Sequence, residues 1–240
     1  MILEILRDSF EYTFKDISIL KLGILSLLSF LIIPTFILCG YSYRTTLIGI
    51  NSMLNKKDKK PTFDNLGEML IQGVKLAILG LIYTLPGIIA TYILTTEGYI
   101  FRLVRAGGVS RIDFSLEFVV LLGLIWFICF IFVSVSIPNM INNKGCLKAG
   151  FKIREILAII KNIGILNYIK FSLTWLIIFI GILIIIFLAV QLLISLITGN
   201  IPINGLVTIT IYAVISLFFI VPIFLLSGSR AIALIYNMGE

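Results

Sequence analysis

The sequence contains no histidine, which removes the commonest general base and the commonest side-chain metal ligand. It has only three cysteines, Cys39, Cys129 and Cys146, with no Cys-x-x-Cys pair among them. That odd, scattered set excludes a disulfide framework and a zinc site, and the thiols are read as small hydrophobes. Charge is scarce at 13% of residues. No Gly-x-Ser-x-Gly, no Gly-rich loop ending in Lys-Ser/Thr and no His-Glu-x-x-His occurs, so the motifs of acyl transfer, nucleotide binding and zinc proteolysis are all missing. The expectation is a non-enzymatic chain with no cofactor, no metal and no catalytic residue.

What is present is hydrocarbon. Sixty per cent of the 240 residues are apolar and the mean hydropathy is +1.14. A soluble domain of this length needs more surface charge than that. In lipid the outside can be apolar too, provided each backbone polar group is satisfied within a helix or a closed barrel. The apolar runs are long and continuous rather than alternating, which selects helices. The sequence therefore predicts an all-α, polytopic helical membrane protein, a single integral domain over residues 1–240. It should have about five transmembrane helices and two amphipathic interfacial helices.

Residues 1–16 form the first amphipathic segment. Glu4, Arg7, Asp8, Glu11 and Lys15 recur at intervals of three and four, opposite Leu3, Ile5, Leu6, Phe10 and Phe14, a pattern that lies in an interface with its apolar face down. Residues 17–137 hold the first three membrane segments. These are Ile17 to Gly40, with a kink expected at Pro34, then about Met69 to Leu94 with Pro86 inside, and about Phe114 to Ile137, ended by Pro138. A polar loop is expected over 95–113, and Asn65/Glu68 has capping-box spacing. Residues 138–170 form a basic segment with a second amphipathic helix over Leu147 to Asn162. Residues 171–240 hold the last two membrane segments and a tail that Ser227-Gly228-Ser229-Arg230 introduces.

Lys and Arg are retained on the cytoplasmic side of a membrane. Loop 55–68 has four lysines and segment 138–170 has six Lys or Arg. This predicts a multi-pass protein of the cell membrane with both segments and the C-terminus cytoplasmic. Five crossings put the N-terminus outside. The alternative has residues 17–40 re-enter and return to the same side. A loose repeat favours it: residues 2–44 and 147–230 each read as an amphipathic helix, apolar segments, then Gly followed closely by Arg.

The spans are nearly free of charge, and an ionisable residue at mid-bilayer is what marks an ion or substrate path. Lys75 lies close enough to a span end to snorkel. Asp113 and Glu117 suit a helix start. The basic clusters offer more. Lys56, Lys57, Lys59 and Lys60, with Lys148, Lys152, Arg154 and Lys161, are candidates for contact with anionic headgroups, at about 1 kcal/mol for each cation near the surface. Expected partners are membrane lipids, a second copy of the chain or another membrane protein, and not nucleic acid. The functional expectation is a component that organises lipids or partner proteins. The alternative is a small transporter or channel subunit for an apolar or weakly polar solute, suggested by Pro34, Pro86 and Pro222 within the spans.

Several short motifs carry a resemblance. Gly40-Tyr41 is followed by Arg44, the Lys-rich turn ends in Pro61 with Phe63-Asp64-Asn65 after it, and Gly73-x-Lys75 and Tyr83-x-x-Pro86 come next. Together they resemble domain-of-unknown-function family 4013, prokaryotic and often archaeal multi-pass membrane proteins. The resemblance implies no activity, substrate or cofactor. The roles of Gly40, Tyr41, Arg44, Gly73, Lys75, Tyr83 and Pro86 stay open at this point.

Overall fold

The computed structural model describes residues 1–15, 18–54, 58–96, 101–106, 109–198 and 205–239. They form helices α1 (Ile2–Phe14), α2 (Ser18–Leu27), α3 (Ile32–Ile50), α4 (Leu66–Thr96), α5 (Leu116–Asn142), α6 (Leu147–Gly150), α7 (Ile153–Ile163), α8 (Ile165–Thr198), α9 (Gly205–Ile215) and α10 (Val221–Tyr236), with strands β1 (Phe101–Ala106) and β2 (Val109–Phe114). Four helices are long and apolar enough to cross a membrane: Leu66–Thr96, Leu116–Asn142, Ile165–Leu196 and Val207–Tyr236. The last runs through α9 and α10, joined by a π-helical turn over Ser216–Ile220. This is a helical membrane architecture. The loop expected over 95–113 departs from it with a two-stranded antiparallel hairpin that pairs Phe101 with Phe114 and Ala106 with Val109.

The first apolar segment does not cross as one helix. α2 runs into a 3₁₀ turn at Leu28–Phe30, the chain extends at Leu31 (φ −88°, ψ 140°), and α3 begins at Ile32. α2 and the turn together measure about 20 Å at 1.5 Å per residue, short of the roughly 30 Å hydrocarbon core. Its two ends lie on one face of the molecule. Lys60 Nζ donates to Thr13 O and to Ser18 Oγ, at the start of α2, while Asn237 Nδ2 donates to the Gly49, Ile50 and Ser52 carbonyls, at the end of α3. The segment is a helical hairpin whose two ends lie together, and the break falls at Leu31 rather than at the expected Pro34. Pro34 occupies the first turn of α3, where an N–H would have no intrahelical partner in any case. Thr35 Oγ1 donates to Ser29 O and Leu31 O, satisfying carbonyls that the break frees in an apolar setting. Phe30, Leu31, Ile32 and Ile33 are exposed at the tip.

Other boundaries shift for physical reasons. α5 continues through Pro138 to Asn142 instead of ending there. Arg230 lies inside α10, not at an exit. The second amphipathic segment breaks at Phe151 into α6 and α7, and Gly150 at the end of α6 packs so close to Leu79 that a Cβ would lie 2.6 Å from its Cδ1. Residue pairs in contact place α3 between α4 and α10 and set α1 along α10. The main core gathers Ile5 and Leu6 of α1, Ile156 and Ile160 of α7, Tyr168, Phe171 and Trp175 of α8, and Leu234 to Tyr236 of α10. Helix α1, residues 58–66, the 142–165 segment and the end of α10 thus share one face. Of the chain's lysines and arginines, only Arg102, Arg105 and Arg111 belong by sequence to the opposite loop, so we call the shared face the basic face.

Candidate functional site

The basic face is built around a buried arginine. Arg230 has a side-chain exposure of 0%. Its Nε donates to Asp8 Oδ2 at 3.1 Å, its Nη1 to Asp58 Oδ2 at 2.8 Å and its Nη2 to Ser52 Oγ at 3.1 Å. Ser52 Oγ in turn donates to Asp58. The guanidinium lies 5.1 Å from the Tyr12 ring centroid, and Lys60 Nζ lies 5.9 Å from the same centroid. Two carboxylates thus meet Arg230 directly, and Lys60 brings a second positive charge to the cluster. A planar guanidinium with a fixed fork of donors suits three acceptors arranged around it, where an ammonium would offer a point charge.

This arrangement overturns the expected orientation of α1. Asp8, placed by periodicity on a solvated stripe, is buried with Ile5, Ser9, Tyr12 and Thr13, while Leu3 and Phe14 from the apolar stripe are exposed. The helix docks on α10 rather than resting on lipid alone, because the Arg230 charge recruits Asp8 to the protein side. Exposed Arg7 pairs with Glu11 at 2.7 Å on the outer side, and that contact raises the Arg7 pKa.

The motif residues that carry the family resemblance come together as one construction at the α3/α4 crossing. A Cβ on Gly40 would lie 2.0 Å from Met69 O, and one on Gly73 would lie 1.8 Å from Phe36 O. Small residues are what let membrane helices approach this closely. Tyr41 is fully buried beside Phe63, with ring centroids 5.0 Å apart. Arg44 donates to the carbonyls of Thr62, Asp64 and Asn65 and to Gln72 Oε1, so it holds the turn that leads into α4. Glu68 accepts from Gln72 and lies 3.9 Å from Arg44 rather than closing a box back to Asn65, whose φ of 53° is left-handed. Lys75 Nζ donates to Gly145 O and Tyr83 Oη to Gly150 O, tying α4 to the turn after α5 and to the end of α6. Lys75 is thus fixed by a carbonyl at the basic face, while Pro86 stays inside a continuous α4.

The candidate headgroup contacts divide. Lys148, Lys152, Arg154 and Lys161 are exposed around α6 and α7, with Lys152 paired to Glu155 at 2.7 Å. Beneath them Ile156, Ile160 and Ile163 are buried, so α7 is anchored on the core and turns its cations outward. Lys60 points inward to the Arg230 cluster instead. Lys59 is exposed, and Lys56 and Lys57 lie outside the described residues.

A second feature lies among the spans, and sequence reasoning had no signal for it. α5 and α8 are joined near the basic face, where Tyr168 of α8 bonds Ser134 of α5 and donates to Ile131 O at 3.1 Å. Beyond that junction they part around a groove of about 490 Å³, lined by Trp126, Phe127 and Phe130 of α5, Trp175 and Phe179 of α8 and Phe224 of α10 among others. Phe224 meets both α8 aromatics edge-on, at 5.7 Å from Trp175 and 4.8 Å from Phe179. The Trp126 N–H is taken up by Thr91 Oγ1 at 3.0 Å. Among the described residues no group of three or more His, Cys, Asp or Glu could hold a metal ion.

A family model described as "Protein of unknown function (DUF4013)" matches residues 27–197. No curated protein and no solved structure matches the chain.

Proposed function

The chain belongs to the DUF4013 family and its four long apolar helices make it an integral membrane protein; we propose that it is a non-enzymatic component that organises membrane lipids around itself. The observation that carries this reading is the α6–α7 unit. It has an isoleucine face locked into the core and Lys148, Lys152, Arg154 and Lys161 exposed at the membrane edge. Cations held at that level attract anionic headgroups without any pocket. Positive charge so biased to one face also orients that face to the cytoplasm of the cell membrane.

The test is the lipid that accompanies the protein. In nanodiscs of mixed phosphatidylglycerol and phosphatidylcholine, a spin-labelled phosphatidylglycerol should show a larger immobilised fraction than spin-labelled phosphatidylcholine. Replacing Lys148, Lys152, Arg154 and Lys161 together by Gln should equalise the two. Equal fractions for the unaltered protein would overturn the proposal.

The α2–α3 hairpin favours a second reading. Broken helices and re-entrant segments line the solute paths of transporters, and α2 packs against the π-helical turn before α10. Uptake of a weakly polar solute by sealed proteoliposomes, above that of empty ones, would support it.

A further inference from the structure

We infer that the groove between α5, α8 and α10 holds one acyl chain of a membrane lipid, which deepens the lipid-organising reading by naming a tail site separate from the headgroup contacts. The groove is almost wholly apolar: its walls are Trp, Phe, Leu and Ile with one glycine, and the Trp126 N–H already has Thr91 as acceptor. The occupant is therefore hydrocarbon.

Two observations select a lipid tail over a helix from a second copy. The first is size. An α-helix with its side chains is about 10 Å wide with a 5.4 Å pitch, so about 490 Å³ would admit only about one turn of it. A single hydrocarbon chain is about half as wide as that helix and can follow the groove along its length. The second is composition. Helices approach one another in lipid across small residues, as α3 and α4 do here at Gly40 and Gly73. This groove is walled by the bulkiest side chains in the protein. Gly123 alone is small, and a Cβ there would meet nothing within 4 Å.

The walls are also set in advance. Trp175 is stacked on Phe10 of α1, 5.9 Å between centroids, and Phe224 braces it from α10. The Tyr168–Ser134 junction holds α5 and α8 together on the basic-face side of the groove. A tail enters the slot from the bilayer side. Its filling should not depend on headgroup charge.

The chain's two tryptophans, Trp126 and Trp175, both line the slot, which gives a direct readout. With Trp126→Phe, Trp175 is the only indole, and its residue is buried at 8% exposure. In vesicles of phosphatidylcholine brominated at mid-chain, its fluorescence should fall at least twofold relative to unbrominated lipid, and equally in brominated phosphatidylglycerol. Adding Gly123→Leu, which fills the slot, should restore at least half of the lost signal. Phe127→Ala, which widens it, should keep or deepen the quenching. Trp175 emission indifferent to brominated chains would overturn the inference. So would disulfide cross-linking between copies through a cysteine at Phe127, since a second chain would then occupy the slot. A failure of headgroup selectivity with quenching intact would sink the headgroup reading alone.

Discussion

Arg230 on the penultimate turns of the chain donates to Asp8 on its first helix at 3.1 Å, across 222 residues of sequence. With Asp58 on the other side of the same guanidinium, this contact closes the N-terminal helix, the α2–α3 hairpin and the last span into one unit. An arginine inside an apolar helix would be costly on its own, and burying the carboxylates beside it is what makes the position tenable.

Removing one partner should cost more than removing the charge from both sides. Arg230→Leu leaves Asp8 and Asp58 buried against hydrocarbon and should destabilise the fold by about 3–5 kcal/mol. The triple change Arg230→Leu, Asp8→Asn, Asp58→Asn should recover part of that loss. Thermal unfolding in nanodiscs measures both, and a single variant as stable as the parent would remove the cluster from the account of stability.

The two ends of the α2–α3 hairpin lie together, which predicts that α1 and the 142–165 segment occupy the same side. In a background with Cys39, Cys129 and Cys146 replaced, single cysteines at Glu11, Ser110 and Asn143 should label with a membrane-impermeant maleimide at 110 from one side and at 11 and 143 from the other. Co-labelling of 11 with 110 would restore five crossings.

Arg44 acts through its fork of donors rather than through charge. Arg44→Lys keeps the cation and forfeits most of the bonds to Thr62, Asp64 and Asn65. The expected result is a loss of about 1–3 kcal/mol, with faster amide exchange over residues 58–66 and little change in α8. Uniform exchange rates between variant and parent would show that the turn holds itself.

Glycine positions should separate sharply. Gly40→Ala and Gly73→Ala drive a methyl into backbone at 2.0 and 1.8 Å, and overpacking on that scale costs about 1–3 kcal/mol or more. Gly80→Ala and Gly181→Ala, where a Cβ meets nothing within 4 Å, should be neutral or stabilising. Folded yield and melting temperature of the four variants check the order, and equal behaviour would deny the α3/α4 crossing.

Hydropathy was enough to establish a helical membrane protein and to place α4, α5 and α8 to within about a turn or two, while the last span runs ten residues past its expected end at Leu226, to Tyr236. Those properties are sums over long stretches of chain, and each stretch carries its own share. The short motifs around Gly40, Arg44 and Gly73 were also visible as a set, although not as a helix crossing and its clamp. Three things were decided only by the tertiary structure. The loose repeat pointed to a return of residues 17–40 to their own side, but the position of the break, at Leu31 and not at Pro34, is hidden because a helix end within a uniformly apolar run leaves no mark in composition. The burial of Asp8 against the helical stripe depends on Arg230, and no local pattern reports a partner 222 residues away. The aromatic slot exists because α5 and α8 meet at Ser134 and Tyr168 and then diverge, and where two helices fail to touch is a property of their packing that neither sequence segment contains.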